Sequence, residues 1–205
     1  MKRPLLTILV LSFLSILCAE AQTVIVAREG PLGGGYAINE GGQTLGVSWT
    51  QSDSFSNVSI FATLTAGPTA GTAYLTNQIG AGTTAANEIA STSFTFPSSA
   101  TEIQLFSGLT LTSGTYYLTI VANTSGGGAG WVSSSGPSDV TTAPGVTINS
   151  DYVTQSPASY PPASTFFEQD FELLYRVTGV PEPSSIALLL AGGGMVVRMA
   201  RKRRR

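Results

Sequence analysis

Three acidic residues, Glu168, Asp170 and Glu172, recur at every second position. On a strand this spacing places them on one face, about 7 Å between neighbours. Two chemistries use such a set. A calcium ion needs several oxygen ligands converging at about 2.3–2.6 Å, which one strand cannot supply. Asp139, Asp151 or Asp53 would have to join from a neighbouring loop. A glycosidase needs two carboxylates about 5–9 Å apart, a spacing that any alternating strand meets. No flanking motif supports that chemistry here. The plainer reading is a solvated face that discourages edge-to-edge pairing.

Aromatic residues are the other candidates, because apolar sugar faces stack on aromatic rings. Trp131 follows the glycine-rich run 126–130 and is expected on a loop. Tyr117 faces away from its neighbours Leu118 and Ile120. These two are the candidate sugar contacts, while Trp49 alternates with Val47 and is expected in the core. The chain has no histidine. Ser-His-Asp and Cys-His catalysis and imidazole metal sites are therefore excluded. Gly33-Gly34-Gly35 and Gly126-Gly127-Gly128 are followed by neither a helix nor Lys-Ser/Thr, so they are turns rather than phosphate loops. The many threonines lack the regular spacing of a flat ice-binding array. The expectation is a protein without catalysis and without a resident cofactor. The less favoured readings are a sugar-binding module, then a secreted hydrolase or an ice-binding protein.

The elements that would carry these residues are strands. Val47 and Trp49, Val58, Ile60, Ala62 and Leu64, and Tyr116, Leu118 and Ile120 each alternate with small or polar residues. Phe167, Gln169, Phe171, Leu173, Tyr175 and Val177 read as one face of a last strand over 166–178. Glycine, proline, serine and asparagine fall between the runs. Eight to ten strands in about 157 residues predict a single antiparallel β-sandwich, jelly-roll-like, over residues 22–178.

The 205 residues carry a formal charge of −2, which hides an asymmetry. Eight of the ten basic residues lie in the first three or last eight positions. Between Gln22 and Val180 there are two arginines and ten acids, so that stretch carries 2 − 10 = −8. Such a surface is a poor match for nucleic acid. The ends read as addresses. Met1-Lys2-Arg3, the apolar run from Leu5 to Leu17, and Ala19-Glu20-Ala21 have the layout of a signal peptide over 1–21, cut by signal peptidase after Ala21. The only cysteine, Cys18, would leave with it. At the other end, Val180-Pro181-Glu182-Pro183-Ser184-Ser185 precedes an apolar stretch and a basic cluster of Arg198, Arg201, Lys202, Arg203, Arg204 and Arg205. The prolines disfavour helix and regular sheet and predict an extended, accessible segment over 180–185. Residues 184–200 predict a short membrane-spanning helix, and the basic tail over 198–205 would hold the preceding domain outside the cytoplasm.

Pro181-Glu182-Pro183, the apolar stretch and the terminal arginines, in this order, resemble the sorting signal of PEP-CTERM proteins of Gram-negative bacteria. The resemblance covers about the last 26 residues, Val180 to Arg205, and sets 179–205 apart as a sorting-signal segment. It implies recognition and removal of the anchor by an exosortase, a membrane-embedded cysteine transpeptidase-like enzyme. It further implies a final place at the cell surface or in an exopolysaccharide matrix, with surface glycans as partners. The same tail is sometimes labelled an ice-binding-protein C-terminal domain, a label for the tail and not for an activity. The run 106–118 with Trp131 also looks like a pattern in β-sandwich domains of such proteins.

Overall fold

Alternation is realised most plainly in β3 (Thr44–Gln51) and β8 (Gly114–Ala122). Leu45, Val47 and Trp49 of β3 and Leu118 and Ile120 of β8 point to one side and are fully buried. The strands pair antiparallel, with Leu45 opposite Ile120 and Val47 opposite Leu118. The computed structural model describes residues 21–38, 43–65, 70–123 and 129–182. In it β3 and β8 are the middle of a six-stranded sheet. The order is β12 (Phe167–Gln169), β11 (Val146–Thr154), β3, β8, β5 (Ala70–Thr76) and β6 (Glu88–Thr95).

A second, seven-stranded sheet runs β10 (Asp139–Thr142), β1 (Thr23–Glu29), β13 (Tyr175–Pro181), β4 (Phe55–Thr65), β9 (Ala129–Ser134) and β2 (Leu32–Ile38). The seventh strand, β7 (Thr101–Leu111), also pairs with β4. Every pairing in both sheets is antiparallel. Among the described residues there is no α-helix, and two short 3-10 turns, Ala85–Asn87 and Pro161–Ala163, complete the elements.

One core serves both sheets. Ile25, Val58, Ile60, Leu64 and Val177 come from the seven-stranded sheet, and Leu45, Val47, Leu75, Leu118 and Ile120 from the other. Each such side chain, fully buried, contributes about 1.5–3 kcal/mol. The Trp49 ring bridges the layers, with its centroid 5.7 Å from Tyr116 and 6.3 Å from Tyr175.

Thirteen strands among the described residues exceed the eight to ten expected. The additions are short edge strands and β2, whose Leu-Gly-Gly-Gly reads as a turn. The glycines serve close approach instead. A Cβ on Gly33 would sit 2.8 Å from the Ser133 carbonyl oxygen, so β2 can lie against β9 only without a side chain there.

The expected last strand over 166–178 is in fact two strands in different sheets. β12 ends at Gln169 on the edge of the six-stranded sheet, where Glu168 faces Tyr152 in the register. The chain then crosses to the other sheet. Glu172 takes φ 52°, the Leu174 amide donates to the Val132 carbonyl (2.9 Å), and Tyr175 opens β13. Leu173 and Leu174 are both buried because the crossing runs between layers, where the period of two has no meaning. The segment 155–166 returns over the outer face of the six-stranded sheet. There the Gly80 amide donates to the Pro162 carbonyl (2.9 Å), and Tyr160 meets the Tyr74 ring edge-on at 5.6 Å.

Candidate functional site

The segment Val180–Glu182 lies in the seven-stranded sheet. Val177 is fully buried between the layers, and pairing with β4 then continues through Val180 opposite Ser56 to Pro181 opposite Phe55. The Glu182 amide donates to the Ser54 carbonyl at 3.0 Å. On the other side Thr23 faces Gly179, and the Gln22 side-chain amide donates to Thr178 Oγ1 at 2.8 Å. A Cβ at Gly179 would meet Ile25 Cδ1 at 2.9 Å and Val58 Cγ2 at 3.0 Å, so a larger residue here would push on two core side chains. The prolines were expected to keep this segment out of regular sheet. Pro181 instead ends the strand, where its missing N–H costs no ladder bond. The second proline of the motif, Pro183, lies outside the described residues, as do the expected membrane span over 184–200 and the basic tail from Arg198. Ala19 does too, while Ala21 is exposed just before β1. No helix among the described residues is long and apolar enough to cross a membrane.

The acidic triplet does not form one face. Glu168 is exposed on β12, Asp170 lies in the crossing, and Glu172 has left-handed backbone. Among the described residues no cluster of three or more acidic or other metal-ligating side chains gathers.

Trp131 is not on a loop. It sits in β9 opposite Tyr36 and Leu64, is wholly buried, and donates its indole N–H to the Leu174 carbonyl at 2.9 Å. Cross-strand pairing on both sides draws the residue inward despite the glycines before it. It cannot meet a sugar.

Tyr117 is half-buried on the outer face of the six-stranded sheet. Its ring is edge-on to Tyr152 at 6.0 Å, and Tyr152 in turn to Phe166 at 6.4 Å. Burial, the Tyr152 hydroxyl and the Glu168 carboxylate all hold the Tyr117 hydroxyl above the ordinary tyrosine range. All three rings are half-buried on this face and meet edge to face rather than lying in one plane.

One charged arrangement escaped the reading of the sequence. Arg28 of β1 and Asp151 of β11 meet between the sheets, with one guanidinium nitrogen 2.7 Å from both carboxylate oxygens. Asp151 is 1% exposed and also accepts from the Leu173 amide at 3.3 Å. Burial pushes its carboxyl upward, against the pull of Arg28 and of the backbone amides. Among the described residues the nearby buried Tyr175 hydroxyl finds no hydrogen-bond partner, and desolvation holds it far above the usual tyrosine range. The signal was present: the stretch from Gln22 to Val180 has only two cations. The second, Arg176, lies over the Phe61 ring and pairs with Glu102 at the surface.

Two antiparallel sheets on one core, with the last strand running into a proline-glutamate-proline segment, define an all-β protein with a C-terminal sorting signal. Residues 179–205 match the family described as the PEP-CTERM protein-sorting motif. That motif implies export, membrane-anchored sorting and an exosortase as processing partner. No curated protein matches the chain. Among solved structures it is similar to a chain from the crystal structure of the T13 IBDV viral particle. The identity is 12% and the TM-score 0.28, with 79% of this chain and 40% of that chain covered.

Proposed function

We propose that this is an exported, non-catalytic protein of the cell surface or exopolysaccharide matrix. It enters the export route by its N-terminal signal and is held by its C-terminal anchor with the β domain outside the cytoplasm. An exosortase then processes it. The observation that carries this reading is the match of residues 179–205 to the sorting motif, continuous with the last strand of the domain. No linker separates address from cargo, as suits a protein whose domain is itself what is delivered.

The sheet order favours a sandwich of jelly-roll type. The nested orders β1-β13-β4-β7 and β3-β8-β5-β6 are two interleaved Greek keys; β10, β11 and β12 extend their edges, while β9, with β2 beside it, pairs the end of β4 next to β7. Its contribution to the matrix would be physical. A compact, acidic, Ser/Thr-rich surface hydrogen-bonds polysaccharide without a deep specific site, and the reading needs no cofactor.

The test is the intact mass and location of the native protein in its own host. A chain beginning at Gln22, ending within the Pro181–Pro183 region and found outside the membrane supports the proposal. Added mass on that new terminus would favour covalent attachment to the matrix. A membrane-bound chain still ending at Arg205 would overturn it.

A further inference from the structure

A groove of about 440 Å³ opens beside the start of the sorting motif. Val24, Phe55, Pro144 and Pro181 give it an apolar lining, and Asp53 and Glu182 add carboxylates. Clefts of about 300–1,000 Å³ are the size that takes up ligand groups. Two of its lining residues, Pro181 and Glu182, belong to the motif itself, so the groove is continuous with the surface that a processing enzyme must grip.

Chain length fixes where this end of the domain sits. The Glu182 amide is bonded to Ser54, and the apolar stretch begins at Ile186. Four steps of extended chain reach at most about 14 Å. An anchored domain therefore holds this groove close to the membrane, within reach of a membrane-embedded enzyme. Charge separates the two occupants available there. The stretch from Gln22 to Val180 carries −8, with Asp53 of the groove among its acids, and Glu182 adds one more carboxylate. An anionic lipid surface repels such a face, whereas a protein segment with an apolar side chain and an arginine or lysine complements it.

We infer that this groove is a docking surface for the outward-facing side of the exosortase, which reads the folded end of the domain together with the motif. The inference rests on the exosortase reading above and adds a second recognition element to it.

The test uses the full chain expressed with and without its exosortase, with processing followed by pulse-chase and product mass. Asp53→Lys reverses an exposed charge at the groove, and Pro144→Arg places a cation on its exposed lining. Ser93→Lys, on the exposed face of β6, is the control. Protease resistance of the anchored precursor reports folding. Asp53→Lys and Pro144→Arg are each expected to slow processing about tenfold, the loss of an ordinary interface contact, with folding and Ser93→Lys processing unchanged. If the unaltered chain is not processed when the enzyme is present, the exosortase reading itself fails. If it is processed and the groove variants keep its rate, docking is overturned and the motif suffices. Gain of binding to anionic vesicles by Asp53→Lys at an unchanged processing rate would likewise overturn docking and make the groove lipid-facing. Residues 179–205 transplanted onto an unrelated β domain should be processed about tenfold more slowly; an equal rate would refute the inference.

Discussion

Asp151→Ala tests the account of the interior most directly. The substitution leaves Arg28, its side chain 10% exposed, between two sheets without its carboxylate. Breaking a buried pair from one side costs about 3–5 kcal/mol, because the surviving charge stays desolvated. It also removes an acceptor from the Leu173 amide, in the crossing that splits the last two strands. Domains of this kind are stable by about 5–15 kcal/mol, so the variant should still fold. In urea, with a slope of about 2 kcal/mol/M, the midpoint should fall by about 2 M. Salt should barely change this loss, since a buried pair is poorly screened. Replacing both partners, Arg28→Met with Asp151→Leu, should recover most of it. The surface pair is the control: Glu102→Ala, which leaves Arg176 with Glu29 at 3.9 Å, should cost only about 0.2–1 kcal/mol. An Asp151→Ala loss below about 1 kcal/mol would refute the buried pairing. A double variant no more stable than Asp151→Ala would place the cost in packing rather than in the stranded charge.

Trp131→Ala should destabilise by about 3–5 kcal/mol in thermal or urea unfolding, through loss of the ring and of its bond to Leu174. A Trp131→Ala protein of unchanged stability would contradict its place in the core. Gly33→Ala should cost about 1–3 kcal/mol, because the backbone of β9 cannot yield to the added methyl group; unchanged stability would refute that close approach. Tyr74, Tyr117, Tyr160 and Tyr175 all hold their protons more tightly folded than unfolded. Folded pKa values above the unfolded value make a contribution that is complete below about pH 10 and lost as pH rises beyond it. Stability should therefore fall on the alkaline side of about pH 10, with Tyr175 forming tyrosinate only together with unfolding, read as the absorbance difference from Tyr175→Phe. A Tyr175 tyrosinate signal well before any loss of structure would contradict its burial.

Much of the fold was legible where one face of a strand is buried and the other is not. Val47 and Trp49, and Leu118 and Ile120, sit where alternation places them. It failed where a different constraint overrode the period. Phe167 to Val177 alternates except at Gln169 and Leu174, yet the chain turns from one sheet to the other inside that run, with Leu173 and Leu174 buried in succession. The apolar run Leu173-Leu174-Tyr175 is the one trace the crossing leaves in the hydrophobic pattern. Trp131 was misplaced because glycines usually mark turns, while here β9 pairs with both β2 and β4 right after them. The sorting motif was legible because its chemistry is local and linear. Its union with the sheet was not, because Pro181 is readable as a breaker as well as a strand end. The Arg28–Asp151 pair joins residues 123 positions apart, a separation that no local pattern encodes.

The place of β13 sets an order of events in time. In chain order it is the last strand of the domain, yet it lies between β1 and β4, bonded to both. On the proposed export route, β1 and β4 each keep one open side, and the core lacks Tyr175 and Val177, until β13 has emerged from the channel. The chain thus stays incomplete, and so fit for threading through a narrow passage, until nearly its whole domain has crossed. Closure then comes as one late step, by the same strand that leads into the anchor.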